Sequence, residues 1–186
     1  EAYEDSLRRE GHVRDRAQLD VISRLETLQR CLETRKPAKR GLLSWLSATA
    51  EPDANGVKGL YLWGGVGRGK TFLMDLFFDS LKIEKKKRVH FHRMMKEVHD
   101  RLRGLGEIED PLDAVAASFA AESEVICFDE FFVSDIADAM ILGRLLDGLF
   151  QRGVTLVATS NASPDDLYKD GLQRQRFLPA IDLLNN

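Results

Sequence analysis

Gly64-Gly65-Val66-Gly67-Arg68-Gly69-Lys70-Thr71 satisfies the pattern GxxxxGK[ST], and its flanks restrict the fold more than any other feature of the chain. Before it stands Gly59-Leu60-Tyr61-Leu62-Trp63, an apolar run short enough for a buried strand. After it Leu73, Leu76 and Phe77 fall on one side of a helix predicted from Lys70 to about Leu81. A Gly-rich turn between strand and helix lets successive N–H groups curl around phosphate oxygens, and the helix N-terminus adds positive dipole. Lys70 then reaches β- and γ-phosphates, and the Thr71 hydroxyl is placed for Mg²⁺. The plain alternative is a Gly-rich turn with no ligand, and the two correct flanks count against it.

The rest of the chain repeats the alternation of short apolar runs and helical patterns. Val21, Leu25, Leu28 and Leu32 form one face of a helix from about Arg14 to Glu33, limited by Pro37. A second strand is predicted at Val89 to His92, then a helix marked by Met95, Val98 and Leu102. Asp110-Pro111 starts another helix, as N-cap and first helical residue, ending near Ala121. Val125 to Phe128 is a third strand, Ser134 caps a long helix through Phe150, and Val154 to Ala158 is a fourth strand. The pattern predicts a three-layer α/β domain, a mostly parallel sheet covered on both faces. Residues 1–40 read as an N-terminal helical segment, 41–58 as a connector with a short turn at Trp45, and 59–186 as the core.

Composition bounds the alternatives. At 186 residues, with 44% hydrophobic and 31% charged, the chain suits one soluble domain. Its longest uncharged stretch, Gly153 to Pro164, is twelve residues and too short to cross a membrane. Twenty-seven basic against 30 acidic residues give −3, no global field for nucleic acid. The one basic run, Lys85 to Arg88, reads as a solvated turn. Cys31 and Cys127 make no disulfide framework, which fits a reducing, cytoplasmic compartment, and Cys127 reads as a buried strand residue rather than a nucleophile. The beginning, Glu1-Ala2-Tyr3, lacks Met and lacks a secretory pattern, so the sequence reads as a piece of a longer protein.

Two further motifs fit the phosphate loop. Asp129-Glu130 ends the third strand, where an acidic pair is costly unless something cationic sits beside it. Asp129 suits the Mg²⁺ hydration shell, and Glu130 suits a general base that polarises water for attack on the γ-phosphate. The fourth strand runs into Thr159-Ser160-Asn161, whose amide can contact both γ-phosphate and water, the role called sensor 1. The 59 steps from Lys70 to Asp129 hold an additional strand and two helices, as in additional-strand ATPases. With the glutamate after the aspartate, this favours ATP hydrolysis over phosphate transfer to a metabolite. His90, His92 and His99 lack a completing Cys or carboxylate at ligand spacing for zinc. Met74, Met94, Met95 and Met140 read as core or rim.

Taken together, the segments 59–71, Val89-His-Phe-His-Arg93, Cys127-Phe-Asp-Glu-Phe131, Ser134 to Met140, Ala158 to Asn161 and Gly171-Leu-Gln-Arg174 resemble the ZapE family of bacterial cell-division AAA+ ATPases. That family is related to a mitochondrial AAA+ family linked to membrane-protein quality control. The similarity spans nearly the whole chain and is weakest over 35–58. It implies association with the tubulin-like division protein FtsZ, self-association into a ring or other oligomer, a place at the division site, and peripheral association with membrane machinery. It also implies a continuation past Asn186 into a fifth core strand and a lid carrying any sensor 2 arginine.

Three further residue assignments complete the reading. Arg174, at the family's Gly-Leu-Gln-Arg position, is implied as an arginine finger reaching a neighbour's γ-phosphate, with Arg176 as competitor. Gln18 has an amide able to pair with adenine, against an ordinary solvated helix position. His92 or Arg93 is the candidate switch holding Glu130 from water. The rivals are a helicase-loader-like module engaging single-stranded DNA and a metabolite kinase. No direct nucleic-acid contact is expected.

Overall fold

A computed structural model describes residues 16–35 and 56–186. The Trp45 turn and most of the connector therefore lie outside the described residues. The elements run in chain order as α1 (Arg16–Thr34), β1 (Leu60–Trp63), α2 (Lys70–Ser80), β2 (Lys86–His90), α3 (Phe91–Gly104), α4 (Pro111–Glu122), β3 (Val125–Asp129), α5 (Ile136–Gln151), β4 (Thr155–Ser160) and α6 (Leu178–Asn185). Two 3₁₀ turns, Pro164–Asp166 and Arg174–Arg176, lie between β4 and α6.

All four strands are parallel, in the order β1-β4-β3-β2. Strands β3 and β4 are buried along their whole length, as central parallel strands must be when helices cover both faces. Their side chains alternate between two cores. Val125, Cys127 and Val157 pack with Leu25, Leu28 and Leu32 of α1 and Leu73, Met74 and Phe77 of α2. Ile126, Phe128, Leu156 and Ala158 pack on the opposite face with residues from α3, α4, α5 and α6. The three-layer α/β architecture expected from the sequence is the one observed.

The topology adds what periodicity cannot give. Strand β2 follows β1 in the chain yet sits at the far edge, and β4 stands between β1 and β3. The phosphate-loop strand and the acidic strand are thus separated in space by the strand that carries Asn161 at its end. Gly59 makes the β1–β4 approach possible, since a Cβ there would lie 1.7 Å from the Leu156 carbonyl oxygen.

Two expectations need correction. The second strand is Lys86–His90, not Val89 to His92, so Lys86 to Arg88 of the basic run are edge strand and only Lys85 lies in the preceding bend. Lys86 Nζ donates to the Leu81 carbonyl at 2.8 Å, beyond the end of α2, and Lys87 pairs with Glu97 at 2.7 Å. The cap of α5 is Asp135, whose carboxylate accepts from the N–H groups of Ala137 and Asp138, one residue beyond the expected Ser134. Asp110 caps α4 as expected, accepting from the Asp113 N–H.

Candidate functional site: a phosphate loop and its acidic partner

The phosphate loop occupies the turn from β1 into α2. Gly67 and Gly69 hold left-handed backbone at φ 79° and 74°, a conformation glycine adopts without steric cost. Gly69 is the N-cap of α2 and offers no side chain, which leaves the first amides of the helix pointing into the loop. Lys70 Nζ donates to the Gly64 and Gly65 carbonyls at 2.7 and 2.8 Å and to Asn161 Oδ1 at 3.1 Å. All three ammonium donors are satisfied, and one reaches the end of β4. Burial, then the like charge of Arg68, holds Lys70 below the usual lysine range. An anion entering the loop would act in the opposite direction.

Thr71 and Asp129 meet across the α2–β3 contact. Thr71 Oγ1 donates to Asp129 Oδ1 at 3.1 Å, and Thr159 Oγ1 donates to the same oxygen at 2.8 Å. Asp129 is only 3% exposed. Its other oxygen accepts from Arg88 Nη2 at 3.0 Å. The donor set fits Mg²⁺: the Thr71 hydroxyl gives its hydrogen to Asp129 and keeps its lone pairs for a hard cation.

Glu130 follows with φ 53°, a left-handed value unusual for a side chain with a Cβ. Its N–H donates to Thr159 Oγ1 at 3.1 Å, and the Phe131 N–H donates to the Thr159 carbonyl at 2.7 Å. Phe131 is fully buried against Phe91, Phe128 and Tyr61. With Asp129 fixed on one side and Phe131 on the other, the strained residue between them turns outward. The Glu130 side chain is exposed and takes no hydrogen bond among the described residues.

Gln18 lies in α1, and its Nε2 donates to the Arg68 carbonyl at 3.2 Å. It lines a pocket of about 460 Å³ between α1 and the loop, with Val21, Leu62, Lys70 and Leu73. A larger groove, about 540 Å³, runs along the outer side of β1 and includes neither Lys70 nor Asp129. Its size does not make it the phosphate site.

Other candidates sit apart from this cluster. Arg174 Nη2 donates to the Asp165 carbonyl at 2.6 Å, and Arg174 makes no hydrogen bond to Lys70, Asp129, Glu130 or Asn161. Arg176, two residues on, is exposed. His92 and Arg93 lie exposed in the first turn of α3, with no hydrogen bond to Glu130. The residue in register with Asp129 is His90, whose ring stands beside that of His92 at 5.9 Å. Burial pushes the Cys127 thiol up to about 12, which suits its place inside β3. Sequence reasoning missed Arg88, Asp75 and Thr159. The need of a buried acid for a cation, set beside the only basic run, was the signal that could have found Arg88.

The AFG1-like ATPase family model matches residues 1–186. The chain is 51% identical over 189 aligned residues to the cell division protein ZapE of Escherichia coli K12, covering 98% of this chain and 50% of that protein. It is 50% identical over 138 residues to lactation elevated protein 1 homolog B of Danio rerio, covering 68% of this chain and 27% of that one. The chain thus spans about half the length of the bacterial relatives it matches. Among solved structures, DnaI superposes with a TM-score of 0.62 at 17% identity, covering 94% of this chain and 83% of that one. The DnaC helicase loader gives 0.57 at 12% identity, covering 94% and 86%. At such identities the likeness concerns the fold.

Proposed function

Because the chain belongs to the AFG1-like ATPase family, we propose that it is a Mg²⁺-dependent ATP hydrolase of the AAA+ type. The observation that carries this reading is one connected set of polar groups. Lys70 is hydrogen-bonded to Asn161, Thr71 and Thr159 to Asp129, and the exposed Glu130 follows next in the chain. Phosphates fit the amides of residues 64–71, and Lys70 exchanges its loop carbonyls for phosphate oxygens. Thr71 and Asp129 are the residues that would hold Mg²⁺, which supplies charge neutralisation to the phosphate oxygens when bound. Glu130 accepts the proton of the attacking water, and the Asn161 amide orients that water. Gln18 and the α1 pocket suit the adenine base.

Arg174 is proposed to act on a neighbouring copy's site once it leaves the Asp165 carbonyl. The bacterial relatives are named as cell division proteins, which supports a role in division, with FtsZ as the remodelled partner at the division site. The helicase-loader alternative loses its one sequence support, because Lys86, Lys87 and Arg88 are engaged by carbonyl and carboxylate groups of their own chain. The same relatives support a place with the bacterial division machinery. No helix among the described residues is long and apolar enough to cross a membrane.

The test is the rate of ADP formation per mole of chain, with MgATP, across a wide range of protein concentration. A specific rate that climbs with concentration supports sites completed between subunits. A flat, measurable rate removes the in-trans role of Arg174. Failure to bind ATP at all contradicts the ATPase reading.

A further inference from the structure

Both oxygens of the Asp129 carboxylate take hydrogen bonds from side chains of the chain itself. Thr71 and Thr159 donate to Oδ1, and Arg88 Nη2 donates to Oδ2 at 3.0 Å. Arg88 does not reach Asp129 by itself. Its Nε lies 2.5 Å from Asp75 Oδ1, and Asp75 follows Thr71 by one helical turn in α2. One planar guanidinium thus stands between the helix behind the phosphate loop and the acidic strand, hydrogen-bonded to Asp129 and in ion-pair contact, without a hydrogen bond, with Asp75. Among the described residues, one other basic group pairs with Asp129. His90 Nδ1 lies 3.9 Å from Oδ2, without a hydrogen bond.

A buried carboxylate without a cationic neighbour is costly and attracts a divalent cation whenever one is present. Here the cationic neighbour is built into β2. Resting on the reading of the site as one for a metal–nucleotide complex, we propose that Arg88 is a positioning residue with two effects. It fixes the orientation of Asp129, and by neutralising that carboxylate it keeps the empty site from taking up a divalent cation alone. Metal then enters with the nucleotide, whose phosphates supply the negative charge that Arg88 has cancelled. Arg88 touches neither nucleotide nor water in this scheme, and it acts through Asp129. Asp75 keeps the guanidinium in register.

The test uses Mn²⁺ alone, without nucleotide, titrated into the whole chain and followed by the electron paramagnetic resonance signal of free Mn²⁺. Arg88→Met should bind Mn²⁺ at least about tenfold more tightly than the wild type, because a positive charge beside the carboxylate is gone. Arg88→Lys keeps the charge and should stay within about threefold of the wild type. The gain should vanish in Arg88→Met/Asp129→Asn. A merely structural loss would not produce a gain of metal affinity. If Arg88→Met fails to fold by circular dichroism, Arg88→Met/Asp75→Asn removes the ion pair whole and carries the same expectation. Equal Mn²⁺ affinity in the wild type and a folded neutral variant overturns the proposal. MgATP binding by the wild type is measured separately by calorimetry; its failure removes the nucleotide reading, while the Mn²⁺ result still decides what Arg88 does to Asp129.

Discussion

At the scale of single residues, Glu130 combines an exposed carboxylate with a backbone that side chains rarely adopt. Left-handed geometry costs a residue with a Cβ about 1 kcal/mol or more, and glycine escapes that cost. Glu130→Gly is therefore expected to be more stable than Glu130→Ala by about 1 kcal/mol in urea denaturation, with both variants losing turnover. The reverse order would mean that the backbone is not strained there. Lys70 shows the complementary situation. Its place in the loop was legible from the pattern, yet its partners were not, because Asn161 lies 91 positions away and only the sheet order brings it near. Thr159 was similarly hidden. Nothing in a Thr-Ser-Asn strand end says that the threonine hydroxyl will join Asp129 and the Glu130 amide.

At the scale of elements, the β1–β4 pairing sets the distance between phosphate loop and Asn161. Gly59 stands at the tightest point, where an added Cβ would meet backbone rather than a flexible side chain. Gly59→Ala is expected to lose about 3 kcal/mol or more of stability, read as a lowered denaturation midpoint. An unchanged midpoint would show that the strands can part without cost. Periodicity located β1, β3 and β4 because their apolar runs carry the core. It misplaced β2 because Lys86, Lys87 and Arg88 are edge-strand residues whose charges are met by Leu81, Glu97, Asp75 and Asp129, contacts that no local pattern encodes. The strand order also lies beyond local pattern, since it depends on which helices cover which face. Helix α6 and the 3₁₀ turns before it were not anticipated, being short and bounded by ordinary turn residues.

At the scale of the whole molecule, the site is furnished from α1, the loop, α2, β2, β3 and β4, so it forms only when the sheet does. Arg174 is among the candidates left outside it, held by the Asp165 carbonyl. If a second copy completes the site, Arg174→Ala should bind ATP with unchanged affinity and lose the concentration-dependent part of turnover, a finger being worth about 10³-fold or more. Unchanged turnover at high protein concentration would exclude it. The central claim, however, concerns Glu130. The most direct measurement compares ADP formation by the wild type and Glu130→Gln at equal, independently measured ATP occupancy. A general base predicts at least about 100-fold slower hydrolysis in the variant with ATP binding preserved. Turnover at the wild-type rate by Glu130→Gln would contradict the account.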